Sequence, residues 1–172
     1  MGVYVPVTTQ FPSGANGLSG GAIVPDGTQA AYLALTNGFI SQNTAALIAN
    51  STTYTLSVFV GRRNDFNPAI SGSIALTNNG TVFATLAMSA PAQGQWLDET
   101  VSYTTTLADS LLFGGTLGIR ITDLNGNQLN VDDVRLSQST TTVTDVPEPA
   151  TLGLFGLGLA AVGVARRKRR AA

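Results

Sequence analysis

Apolar residues fall at every second position in run after run of this chain. In "TYTLSVFVG" Tyr54, Leu56, Val58 and Val60 share one side; in "ETVSYTTTL" the set is Val101, Tyr103, Thr105 and Leu107; in "GTLGIRITD" it is Leu117, Ile119 and Ile121. A period of two marks a strand that buries one face, because successive side chains point to opposite sides of a pleated backbone. Only "NTAALIANS" suggests a helical turn, and Leu47 and Ile48 fit the end of a strand equally well. Glycine, Asn, Asp and Pro punctuate the runs. "GSIALTNNGTVFATLAM" reads as a hairpin about Asn79-Gly80, a pair suited to a turn whose central residues both take φ > 0. "DLNGNQLNV" reads as a second hairpin turn at Asn125-Gly126 before Leu129 and Val131. The expectation is an all-β fold, an antiparallel, jelly-roll-like β-sandwich over residues 1–136.

Composition removes several chemistries. The chain has no cysteine and no histidine, which excludes thiol nucleophiles, Ser-His-Asp triads and the usual zinc sites. A metal here would be a hard cation held by oxygen. Five of the nine basic residues lie in the last seven positions, so residues 1–149 carry four arginines against all ten acids. An acidic, lysine-free body excludes nucleic acid as a partner.

The C-terminus has a separate logic. "SQSTTTVTD" (residues 137–145) is a Ser/Thr-rich linker without apolar period. Ala150 to Ala165 is uncharged, with Thr151 its only polar side chain. As a helix this run reaches about 24 Å, close to the ~30 Å hydrocarbon core once flanking cations snorkel. Residues 150–165 are therefore expected to form a transmembrane helix. Arg166, Arg167, Lys168, Arg169 and Arg170 resist crossing and stay cytoplasmic, which places the body outside. The first residues, "MGVYVPVTTQFPSG", have neither a basic n-region nor an apolar h-region. An exported body without a leader implies that the beginning of the gene product, with a signal peptide and a first strand, precedes Met1.

Two resemblances follow from these residues. Val146-Pro147-Glu148-Pro149, a glycine-rich apolar span and the terminal basic cluster resemble the PEP-CTERM sorting signal of exopolysaccharide-producing Gram-negative bacteria. That resemblance implies residence in the inner membrane during sorting, transient recognition by an exosortase, and release to the cell surface or extracellular matrix. The prolines keep residues 146–149 extended and out of any helix, as a protease cleft requires. The body, through "ISQNTAALIANSTTYTLSVFVGRR", "GQWLDETVSYTTT" and "GTLGIRITDLNGNQLNVDDVRLS", is similar to the galactose-binding-like jelly roll of carbohydrate-binding modules. Those modules begin with a strand that this chain does not match.

The resemblance to sugar-binding modules makes Asp132 and Asp133 on the last strand a candidate structural calcium pair. Adjacent strand residues face opposite ways, so sharing one ion needs a bulge; the alternative is that they accept backbone or arginine hydrogen bonds. The same resemblance makes Arg62, Phe66 and Trp96, in or near loops, candidate ligand contacts through stacking and hydrogen bonding. The competing roles are core packing for Trp96 and an ion pair with Asp65 for Arg62 or Arg63. Asp123, Asn125 and Asn127 imitate alternating calcium ligands, but Val134 stands where an EF-hand loop needs Glu. Asp98 and Glu99 are the nearest thing to a glycosidase pair. With no catalytic motif in view, the expectation is an exported non-catalytic surface protein, structural or adhesive in exopolysaccharide or biofilm. The alternatives are a calcium-supported lectin-like module and, more remotely, a surface glycanase.

Overall fold

The computed structural model describes residues 1–65 and 68–140. Nine strands run in chain order: β1 (Gly2–Tyr4), β2 (Ala30–Leu33), β3 (Gly38–Leu47), β4 (Thr52–Arg62), β5 (Gly72–Asn78), β6 (Thr81–Ala87), β7 (Gln95–Thr104), β8 (Thr116–Asp123) and β9 (Leu129–Thr140). They form two antiparallel sheets, ordered β1-β2-β9-β4-β7 and β3-β8-β5-β6. The expected all-β sandwich is the fold. Its core lies between the sheets, where Tyr54, Leu56, Val58 and Val60 of β4 meet Ile74 and Leu76 of β5, Leu117 and Ile121 of β8 and Leu129 and Val131 of β9. The inward faces of these strands are the apolar sets of the sequence, since one pleat face must leave water.

The Asn79-Gly80 hairpin forms, with φ of 49° and 82° at its two residues. "NTAALIANS" resolves as the end of β3. Asn125-Gly126 does not close a hairpin: β8 and β9 lie in different sheets, so this loop carries the chain across the sandwich. Asp123 organises it by accepting the N–H groups of Asn125 (3.2 Å) and Gly126 (2.9 Å). β9 runs on to Thr140, with Ser137 paired to Thr55 and Ser139 to Thr53, so residues 137–140 extend the sheet where a linker was expected. Phe66, the rest of the linker, residues 146–149, the membrane segment 150–165 and the basic cluster 166–170 lie outside the described residues. Among the described residues no helix is long and apolar enough to cross a membrane.

A second, smaller core covers the outer face of the first sheet. Phe11, Val24, Ala30 and Trp96 pack together, with Tyr4, Leu18, Ile23 and Phe59 at the margin. The long loop between β1 and β2 forms its lid.

Candidate functional site

Trp96 belongs to that second core and is not an exposed platform. It is 4% exposed, stacks on Phe11 at 4.5 Å with 24° between planes, and donates its indole N–H to the carbonyl of Ile23 at 3.0 Å. Gly61 opposite lets the ring lie flat across β4, since a Cβ there would sit 2.7 Å from the ring. Arg62, at the end of β4, is half-buried. Its neighbour Arg63 makes the ion pair with Asp65, with Nε donating at 2.8 Å, and reaches Gln128 Oε1 at 3.2 Å. The guanidinium holds the Asp65 carboxyl below its ordinary range. Trp96 is thus taken up by packing and Arg62 is half-buried.

Asp98 and Glu99 are separated by the pleat. Asp98 accepts the Ser57 hydroxyl at 2.5 Å on the outer face, while Glu99, 8% exposed, accepts the Ser89 N–H at 2.7 Å. Two carboxyls on opposite faces of one strand cannot flank a glycosidic bond.

The polar groups that do converge lie on β9. Ser57 pairs with Arg135 and Phe59 with Asp132, so one extra residue of β9 stands opposite Val58. The chain makes room for it with φ of 46° at Asp133, the bulge that a shared site for the two aspartates required. Asp132 accepts the N–H of Asp26 at 3.0 Å and that of Asp133 at 2.8 Å. Asp133 is gripped by Arg135 through Nε at 2.8 Å and through the second guanidinium nitrogen. The aspartate oxygens already accept from N–H donors, and among the described residues no three acidic side chains gather as a metal site.

Asp132 pairs with Phe59, so its carboxyl stands on the outer face of the first sheet, toward the β1–β2 loop that supplies the Asp26 N–H, and the bulge itself borders an apolar furrow between the sheets. β2 is only four residues long and ends its pairing with β9 at the Ala31–Val131 step. Beyond that step β9 has no partner on its β2 side among the described strands, and the gap between the sheets opens there. A cavity of about 240 Å³ results, lined by Ala31, Ile40, Ile119, Ile121 and Val131, with Gln42 and the two aspartates as its polar members. A second hollow of about 250 Å³ follows along the same strands, between Thr44, Ala46, Leu117 and Leu136. Burial raises the pKa of the Asp132 carboxyl, and the nearby charges of Asp133 and Asp26 push it the same way against its two N–H bonds.

Residues 1–137 match the HpiC1-like family, described as HpiC1 cyclase, and residues 145–170 match the PEP-CTERM protein-sorting motif. The second match supports export to the surface and exosortase processing; the first overturns the expectation of a non-catalytic body, because the family is one of cyclases. No curated protein matches the chain. A cyclase from Fischerella sp. TAU in complex with 4-(1H-indol-3-yl)butan-2-one aligns at 23% identity over 82% of this chain and 75% of its own, with a TM-score of 0.66. The Stig cyclase Fisc from Fischerella sp. TAU, in complex with (3Z)-3-(1-methyl-2-pyrrolidinylidene)-3H-indole, aligns at 23% identity over 81% and 74%, also at 0.66. At that identity these structures establish the fold. A carbohydrate-binding module, TmCBM61 with β-1,4-galactotriose, aligns at 12% identity over 68% of this chain and 75% of its own, at 0.48, too loosely to bear on ligand.

Proposed function

Because the chain belongs to the HpiC1-like cyclase family, we propose that its exported sandwich closes a ring in an apolar, unsaturated substrate held between β3 and β9. The observation that carries the reading is the furrow walled by Ile40, Ile119 and Ile121, with the β9 bulge at Asp132 and Asp133 on its border. For this step the Asp132 carboxyl turns from the outer face toward the furrow and gives its proton to a double bond or heteroatom of the substrate. The cation that forms is shielded from water by the isoleucines and lies beside the negative charge of Asp133, which Arg135 holds in place. An internal nucleophile or double bond then closes the ring, and loss of a proton restores Asp132. The net change is an isomerisation, so substrate and product have the same mass. The two Fischerella cyclases were solved with indole-bearing ligands, which makes indoles the first compounds to try. The sorting motif supports an exported setting for this activity, with exosortase processing near Pro147-Glu148-Pro149.

The test has two parts. Methyl resonances of Ile40, Ile119 and Ile121 are followed while 4-(1H-indol-3-yl)butan-2-one is added, and shifts confined to that group are expected. Unsaturated indole derivatives are then screened for conversion without change of mass, with Asp132→Asn and Asp133→Asn alongside. Conversion that is the same in both variants as in the parent would remove the proposed acid; no methyl shift at any ligand concentration would remove the furrow.

A further inference from the structure

Beyond the furrow, the feature that nothing above uses is one pole of the sandwich. The loops joining β3 to β4, β5 to β6 and β7 to β8 meet there, and β9 leaves at Thr140, paired with Thr52. Leu107 and Leu111 sit on the short 3-10 helix Leu107–Leu112 and are 78% and 95% exposed; Leu47, at the end of β3, is 59% exposed. Local structure holds these leucines outward. The helix is capped by Thr106 and Asp109, and Asp109 also accepts the Tyr103 hydroxyl at 2.6 Å. Gly114 N–H donates to Ile48 O at 2.9 Å and Ile48 N–H to Gly115 O at 2.8 Å, which ties the helix to the end of β3. Leu112 and Phe113 turn inward against the core, so Leu107 and Leu111 are not spare core residues.

We propose that this pole rests on a lipid bilayer, with Leu47, Leu107 and Leu111 dipping into its interface. Three observations point to lipid as the occupant. The chain exits at this pole and the sorting motif begins at residue 145. Nine residues separate Thr140 from the uncharged run at Ala150, a tether of at most about 35 Å when fully extended. The pole also carries almost no charge. Among the described residues only Asp109, engaged as above, and Arg120, which donates to the Gly80 carbonyl at 2.8 Å, bring charged groups to it. A surface of leucine, threonine and asparagine with paired charges suits a zwitterionic interface, whereas the acidic remainder of the body does not favour anionic lipid. The inference rests on the sorting motif and the fold, not on the cyclase reading.

The absence of cysteine makes the test direct. Full-length chain with Ser110→Cys, carrying a bimane label, is reconstituted into phosphatidylcholine vesicles that contain a spin-labelled phosphatidylcholine quencher. The control label sits at Ala92→Cys, an exposed position at the opposite pole. At least threefold stronger quenching at residue 110 is expected, falling to the control level when Leu107→Ser and Leu111→Ser are added. Both leucines are exposed, so those changes leave the circular dichroism spectrum intact. Equal quenching at the two labels overturns the proposal, as does quenching at 110 that survives loss of the leucines. If the pole is instead a contact between copies, energy transfer between labels persists in detergent and lipid quenching is absent, which also overturns it.

Discussion

Trp96→Ala separates a packing role for this side chain from a ligand-facing one. A buried tryptophan withdraws roughly 150–250 Å² from water, about 4–6 kcal/mol at ~25 cal/mol per Å² before the retained Cβ is discounted. Truncation here also leaves the Ile23 carbonyl without its indole donor and Phe11 without its stacked neighbour. The expected loss is about 3–5 kcal/mol, a large part of the ~5–15 kcal/mol that a domain of this size has to spare. Trp96→Phe keeps a ring and loses the N–H, so about 1–2 kcal/mol is expected. Phe11→Ala combined with Trp96→Ala should cost less than the sum by roughly 0.5–1.5 kcal/mol, because the stack is lost once. Urea unfolding followed by far-ultraviolet circular dichroism gives these differences, since Trp96→Ala leaves no tryptophan to report. Hydrogen exchange should show the loop between β1 and β2 losing protection while β4, β5 and β8 keep theirs. A Trp96→Ala loss below about 1 kcal/mol, with that loop still protected, would refute the reasoning.

Three further outcomes follow from single features. Gly80→Ala meets no neighbour within 4 Å but forces an L side chain to φ of 82°, so a loss of about 1 kcal/mol is expected by thermal unfolding. Asp132 has a folded-state pKa above its unfolded value, so the folded chain binds that proton more tightly. Its contribution therefore favours folding as the pH falls through the folded pKa, and the ionised group costs stability above it. The difference in unfolding free energy between the parent chain and Asp132→Asn should accordingly become less favourable to the parent as pH rises from about 4, and the proposed turnover should fall over the same interval. Tyr4 donates to Asn130 Oδ1 at 2.9 Å and burial pushes its phenol up to about 12; in Asn130→Leu its ultraviolet titration should fall toward the ordinary tyrosine range near ~10 only if β1 frees itself.

Much of the fold could be read from residue order. Alternation identified the inward faces of β4, β7 and β8, because burying one side of a strand imposes a period of two whatever its partners. Asn79-Gly80 identified a hairpin because the positive φ it needs is a local property. The opposite outcome at Asn125-Gly126 has an equally physical cause: a turn dipeptide fixes the bend but not which sheet receives the next strand. The sorting motif was legible in full, since it is read as a linear sequence by the exosortase. Trp96 was not, because its cover comes from Phe11 and Ile23, more than seventy positions away. The furrow left one trace. In "VDDVRL" the apolar positions Val131, Val134 and Leu136 are spaced three and then two apart, as an inserted residue in a strand demands.

By itself the sequence determined a sandwich of alternating strands, a tail that carries its own address, and a ban on thiol and imidazole chemistry. Each of these depends on neighbouring residues or on residues wholly absent. Only the tertiary structure decided that β2 stops short, that the β9 bulge borders an apolar gap, and that Trp96 is roofed over. Those facts depend on which strands lie side by side and how long each pairing lasts. Pairing is settled by the joint burial of all the faces, so no single stretch of chain encodes it.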